Sequence, residues 1–145
     1  LYRAEYWKAQ IHKQQRSGKT AVLAIIDINN FSVFNQKHGY TEGDRYLHDI
    51  AQLVIMNLRQ QDLACRYAGD RFAILMPDIS PMQADLILSD IKASIQHRAF
   101  RHSQNANAIY TTARSTQVTL LPKQRLATVL NNMLLELERP HDSAA

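Results

Sequence analysis

The 145-residue chain is poor in the residues that cross-link, bend or span. It has one cysteine, Cys65. An internal disulfide and a cysteine-rich zinc site are therefore excluded, and a reducing cytoplasm is the expected setting. With only four glycines and four prolines, there is no flexible linker, low-complexity tract or internal repeat. No apolar run approaches the roughly 18 residues that a membrane span needs. The longest, Ala21 to Ile26, ends at Asp27. Acidic residues are absent between Asp90 and Glu136, a stretch that carries Lys92, Arg98, Arg101, Arg114, Lys123 and Arg125. The start has no initiator Met and no apolar leader, so it reads as a domain clipped near its beginning, without a signal peptide.

What is present suits one folded unit. Hydrophobic residues make up 46% of the chain and charged residues 21%, enough apolar side chain for one contiguous core. A single domain over 1–140 with a tail at 141–145 is expected. The net charge of +4 raises nucleic acid, nucleotides and anionic membrane as partners. From charge alone a solvated basic face is the simpler reading, and with no nucleic-acid-binding motif no nucleic-acid partner is expected.

Periodicity predicts an amphipathic helix over 2–15, with Tyr2, Tyr6, Ile11 and Trp7 on its apolar side. Thr20 to Ile28 is a strand buried on both faces. Phe31 to Lys37 forms a short helix with Asn30 as its N-cap. A longer helix opens at Thr41. Leu63–Tyr67 and Phe72–Met76 are strands around the turn Ala68-Gly69-Asp70-Arg71. Ser80 caps a helix with Pro81 at its first position, running through Leu86, Ile87, Ile91 and Ile95. A polar loop, His102 to Asn107, leads to a strand over 108–120, and a last helix runs from about Arg125 to Leu137. Met76, Met82 and the leucine-rich end are expected in the core, and Cys65 as an inert buried thiol. A hairpin among strand–helix alternations excludes a wholly parallel sheet. The expected fold is α+β, a mixed, mainly antiparallel sheet with helices packed on it, close to the split βαβ arrangement.

Asp27 follows a continuous apolar strand, where a charge is costly unless it is paired or bound to a metal. Asp70 lies in the hairpin turn. If the three strands are neighbours, the two carboxylates meet at one end of the sheet. Such a pair suits Mg²⁺ carrying a phosphate, with Gly69 permitting a close backbone approach. Taken singly, Asp27 reads more simply as a helix cap and Asp70 as a turn former.

Read whole, Asp27-Ile28-Asn29-Asn30-Phe31-Ser32-Val33-Phe34-Asn35-Gln36-Lys37-His38-Gly39-Tyr40-Thr41-Glu42-Gly43-Asp44 closely resembles the D-x-D-x-F-K-x-x-N-D-x-x-G-H-x-x-G-D signature of GGDEF diguanylate cyclase domains. Ala68-Gly69-Asp70-Arg71-Phe72 stands where that family carries its naming motif. The resemblance covers residues 1 to about 95. It implies a palm-like, ferredoxin-like fold, and two GTP held between two facing domains, hence a homodimer. It also implies cyclic di-GMP as product and a bacterial second-messenger role. By position, Asp27 and Asp70 become metal ligands, and Asn35 and Asp44 recognise guanine. An amide that offers both donor and acceptor, and a carboxylate that accepts from N–H groups, suit that task.

Several positions depart from the pattern. Arg71 replaces the acid at the fourth motif position, and an Arg cannot bind a metal ion. Ser32 replaces a phosphate-facing Lys, Asn29 the second acid, and Ala68 the first motif glycine. The family's serine-isoleucine-glycine strand and its terminal A-K-x-x-G-R-N are missing. These losses fall on phosphate and metal contacts, where phosphoryl transfer is catalysed. The expectation is an inactive cyclase with no catalytic residue, requiring no cofactor, with Mg²⁺ bound only if GTP binds. Arg59-Gln60-Gln61-Asp62 matches the family's R-x-x-D inhibitory site, so cyclic di-GMP is the expected ligand of Arg59 and Asp62, with Arg66 and Arg98 as candidate further arginines. An ordinary surface ion pair is the plain alternative. Two other readings stand beside the receptor. One is a GTP sensor using Asn35, Asp44, Gly69, Asp70 and Asp27. The other is a module that binds only proteins, namely other domains of a parent protein or a separate partner. The parent is free to be membrane-attached while this domain remains cytoplasmic.

Overall fold

A computed structural model describes residues 1–102 and 112–139. The elements are α1 (Ala4–Arg16), β1 (Ala21–Ile28), α2 (Phe31–His38), α3 (Tyr40–Asn57), β2 (Leu63–Ala68), β3 (Arg71–Pro77), α4 (Pro81–His102), β4 (Ala113–Leu120) and α5 (Leu126–Glu138). The strands form one sheet in the order β2-β3-β1-β4. Every pairing between them is antiparallel; among the described residues the one parallel contact is the isolated bridge Tyr2–Cys65. The α+β, mainly antiparallel architecture expected from the sequence is therefore the one observed. Residues 103–107 of the expected polar loop and 108–111 of the expected strand lie outside the described residues; His102 ends α4, and the strand starts at Ala113.

Side chains alternate across a strand, and here both faces are covered. Val22, Ala24, Ile26 and Ile28 of β1 face α2, α3 and α4, together with Phe72, Ile74 and Met76 of β3. Ala21, Leu23, Ile25, Ala73 and Leu75 face α1 and α5, with Cys65. This is why β1 reads as an unbroken apolar run that ends in a charge. On α1 the buried residues are Trp7 and Ile11. Tyr2, which precedes α1 and bridges to Cys65, and Tyr6 are about half exposed and stack on each other at 4.9 Å. Met76 is buried, whereas Met82 and Leu86 project outward from α4 and Leu135 from α5. Leu88 takes the inward place on α4.

Ser80 forms the expected cap: the Gln83 amide donates to its Oγ at 3.1 Å, and the Ser80 amide donates to Gln83 Oε1 at 3.2 Å, a reciprocal capping arrangement. Asn30 does not cap α2. It sits in the left-handed region at φ 59° with no side-chain cap bond, so its side chain is turned away from the first-turn amides that an extended cap residue would reach. The corner between α2 and α3 is made by Gly39 at φ 85°, which a glycine adopts without steric cost. Among the described residues no helix is long and apolar enough to cross a membrane.

Candidate functional site

Antiparallel register brings the two suspected carboxylates together. Asp27 at the end of β1 is paired with Arg71 at the start of β3, and the Ile28 amide donates to the Asp70 carbonyl at 3.0 Å. On the other side of β1, Asp27 faces Arg114 of β4. Both guanidinium groups reach its carboxylate: Arg71 Nε lies 3.8 Å from Oδ1, and Arg114 Nη2 lies 3.8 Å from Oδ2. Arg71 also approaches Glu138 at 4.0 Å. Arg114 is fastened to the end of α5, donating through Nη1 to the Arg139 carbonyl at 3.1 Å and through Nη2 to that of Leu137. The Asp27 corner is thus tied to the last turn of α5.

Burial pushes the Asp27 carboxyl above its ordinary value of 3.8, and the nearby Asp70 charge pushes the same way; Arg71 and Arg114 pull it down. The arginines therefore only partly compensate for removing the charge from water. A divalent cation here would face two fixed guanidinium charges within about 4 Å of the carboxylate. Arg71 puts a guanidinium, which cannot ligate a metal ion, across the register from Asp27. The donor set does not suit Mg²⁺. Among the described residues no group of three or more His, Cys, Asp or Glu could hold a metal. A Cβ on Gly69 would meet nothing within 4 Å, so the turn itself is open. Asn29 is absorbed locally, donating to Thr112 Oγ1 at 3.0 Å.

Asn35 and Asp44 are brought close by the α2–α3 corner. Asn35 Oδ1 lies 1.7 Å from the point where a Cβ on Gly43 would sit, so the Asn35 amide rests on the backbone beside Asp44. That oxygen is buried without a hydrogen-bond partner, while Asp44 is exposed. Ser32 is exposed on the first turn of α2.

Arg59 and Asp62 form a second centre at the opposite end of β3, seven strand residues from Arg71 and so about 20 Å away. Their side chains meet each other first. Arg59 Nε donates to both Asp62 oxygens at 3.1 Å and Nη2 donates to Oδ1 at 2.7 Å. The Arg59 amide donates to Oδ2 at 2.8 Å. Nη2 also reaches the Pro77 carbonyl at 2.5 Å, and Nη1 that of Asp78 at 3.2 Å. The Asp62 carboxylate is fully buried and the Arg59 side chain is 29% exposed. A guanidinium has five N–H donors, and one Nη1 hydrogen stays uncommitted among the described residues. Arg66 donates to the Gly69 carbonyl at 2.8 Å and belongs to the hairpin. Arg98 is paired with Asp49, joining α4 to α3.

Sequence reading missed Arg114 and Glu138 as members of the Asp27 cluster. The only signal was the run of basic residues without acids, and nothing in it indicates which base lands opposite Asp27.

An antiparallel sheet sandwiched between two helical layers, with a carboxylate-bearing hairpin beside a charged strand end, defines a palm-like α+β domain. The chain matches the family profile described as "Diguanylate cyclase, GGDEF domain" over residues 2–138, and it belongs to the GGDEF domain family. It is 30% identical over 92 residues to the diguanylate cyclase DgcP of Pseudomonas aeruginosa, covering 63% of this chain and 14% of that protein. It is 32% identical over 104 residues to the response regulator PleD of Caulobacter vibrioides, covering 69% and 23%. The chain thus spans less than a quarter of either relative. Among solved structures, the GGDEF domain of DgcB from Caulobacter crescentus in complex with c-di-GMP superposes with a TM-score of 0.82, at 22% identity, over 94% of this chain and 83% of that one. At that identity the likeness establishes the fold.

Proposed function

We propose that this GGDEF domain does not convert GTP to cyclic di-GMP and serves instead as a regulatory module of cyclic di-GMP signalling. The observation that carries the reading is the Asp27 carboxylate held between Arg71 and Arg114. Phosphoryl transfer needs cations placed on phosphate oxygens and held by acids. Here the cations are side chains already spent on the acid. Incubating the protein with GTP and Mg²⁺ and resolving the products chromatographically tests this: unreacted GTP is expected, and steady formation of cyclic di-GMP overturns it.

Cyclic di-GMP is the proposed ligand, with Arg59 as its contact. Support comes from the R-x-x-D register, the part-exposed guanidinium and its uncommitted Nη1 hydrogen, which can donate to the acceptor edge of guanine. Asp62, buried and engaged, is a positioning residue that holds Arg59 in place. Calorimetry with cyclic di-GMP should show saturable binding that Arg59→Ala abolishes; an unchanged affinity refutes the assignment. The reading places the domain in the cytoplasm, where it would act on other domains of a longer protein or on a partner.

A second reading is favoured by the unpartnered, buried Asn35 Oδ1 beside Asp44. This acceptor would be satisfied by a guanine N–H, so GTP would bind without reacting. Thermal stabilisation by millimolar GTP, removed by Asn35→Ala, supports that reading; no shift refutes it.

A further inference from the structure

The helical layer made by α1 and α5 holds a cleft of about 520 Å³ between α1, the end of β2 and the start of α5. Its size lies within the range of small-molecule sites. Three cationic or N–H-bearing side chains line it: Lys8 and His12, one turn apart on α1, and Arg125 across the gap. Among the described residues none of the three is paired with a carboxylate, and no acid lines the cleft. Lys8 Nζ sits 5.6 Å from the centre of the Tyr67 ring, and that ring is braced edge-on by Trp7 at 6.4 Å. The opposite wall is apolar, formed by Leu126, Ala127 and Leu130, and Asn131 adds an amide.

We propose that this cleft is a second ligand site, for a nucleoside monophosphate. Inorganic phosphate alone would engage the cations and leave the leucine wall and Tyr67 wet. An uncharged ring would cover the wall and leave Lys8 and Arg125 without a counter-charge. A phosphate joined to a flat ring meets both demands. The phosphate lies among Lys8, His12 and Arg125 through charge-assisted hydrogen bonds, and the base packs between Tyr67 and the leucines, with the Asn131 amide able to donate and accept at the base edge. The first turn of α5 reinforces the cations: it has no acidic residue and no side-chain cap, so its amides are open to an anion. Tyr67 stands at the far end of β2 from Asp62, and the cleft is on the sheet face opposite Asn35 and Asp44. The site is therefore separate from the Arg59 centre and from Asn35 and Asp44, and does not rest on the function proposed for them.

The test is an amide-resolved NMR titration with AMP, adenosine and inorganic phosphate. AMP is expected to shift the amides of Lys8, His12, Leu126, Ala127 and Asn131 saturably, with adenosine and phosphate each at least tenfold weaker. Arg125→Glu should weaken AMP at least tenfold, and Met82→Ala, at an exposed position of α4, should leave it unchanged. The proposal is overturned if several millimolar AMP leaves those amides in place, if the shifts gather around Asn35 and Asp44 instead, or if phosphate binds as well as AMP. Arg125 and Lys8 are both exposed, so Lys8→Glu repeats the test should Arg125→Glu lose its dispersed spectrum.

Discussion

Arg59→Ala is the obvious probe of ligand binding, and it also strikes a buried ion pair. Asp62 is fully buried and accepts from Nε, Nη2 and the backbone amide of Arg59. Truncating Arg59 leaves that carboxylate with one local amide donor. Removing one partner of a fully buried pair costs about 3–5 kcal/mol. Arg59 lies at the rim, so water can follow its loss, and we expect roughly 2–4 kcal/mol by the same reasoning. Two carbonyl contacts, to Pro77 and Asp78, go with it. With a urea dependence of roughly 1–3 kcal/mol per molar, the midpoint falls by about 1–2 M. The sole tryptophan, Trp7, is fully buried and donates to the Leu63 carbonyl at 3.1 Å, so its fluorescence reports unfolding next to the pair. The diagnostic variant is the double mutant Arg59→Ala/Asp62→Asn. With the orphaned charge neutralised, it should be more stable than Arg59→Ala alone. If the two substitutions add to within about 0.5 kcal/mol, or if Arg59→Ala costs under about 1 kcal/mol as exposed pairs do, the buried-pair account fails.

Arg71→Glu restores an acid at the naming motif but leaves Arg114 3.8 Å from Asp27 and Ser32 and Asn29 in place. No cyclic di-GMP is expected from GTP and Mg²⁺, and product formation would locate the whole defect in Arg71. For Asp27 the raised carboxyl value means that the folded form holds its proton more tightly than the unfolded chain. As pH falls from neutral toward 3.8, the wild type should therefore gain stability relative to Asp27→Asn; the opposite slope in paired urea titrations would show that the two arginines outweigh burial. Burial raises the Cys65 thiol to about 11, so thiol reagents should leave it unmodified in the native protein and label it in denaturant, and labelling at equal rates in both would refute this. Gly43→Ala must displace the Asn35 amide, since a Cβ would come within 1.7 Å of its oxygen. That oxygen already lacks a partner, and Ala gains about 1 kcal/mol of helix propensity over Gly. Stability by urea unfolding should therefore stay within about 1 kcal/mol, and a loss above about 2 kcal/mol, typical of overpacking, would refute this.

Elements with a strong local pattern were legible in the sequence, and those decided by long-range register were not. The unbroken run into Asp27 announced a central strand because both of its faces meet helices, and the Ser80-Pro81 cap could be read from chemistry within three residues. Tyr2 and Tyr6 misled because periodicity marks an apolar side without telling how much of it the sheet can cover. Asn30 misled because its residue type favours both an N-cap and the left-handed conformation, and the turn out of β1 chose the latter. The pairing of Arg59 with Asp62 was visible as a spacing, yet the burial of the carboxylate depended on β3 arriving with its Pro77 and Asp78 carbonyls. Arg114 is the sharpest case. It lies 87 residues after Asp27 in the numbering and meets it only because β4 adds antiparallel to the free edge of β1. That same register lets Arg114 hold the last carbonyls of α5 while facing Asp27. A base introduced at Arg71 alone would leave Asp27 one cation to shed. With Arg114 anchored to the end of the final helix, clearing the corner for a metal requires moving α5 as well. The altered motif residue and the C-terminal helix therefore act on the same carboxylate, and restoring the motif alone leaves half of the obstruction in place.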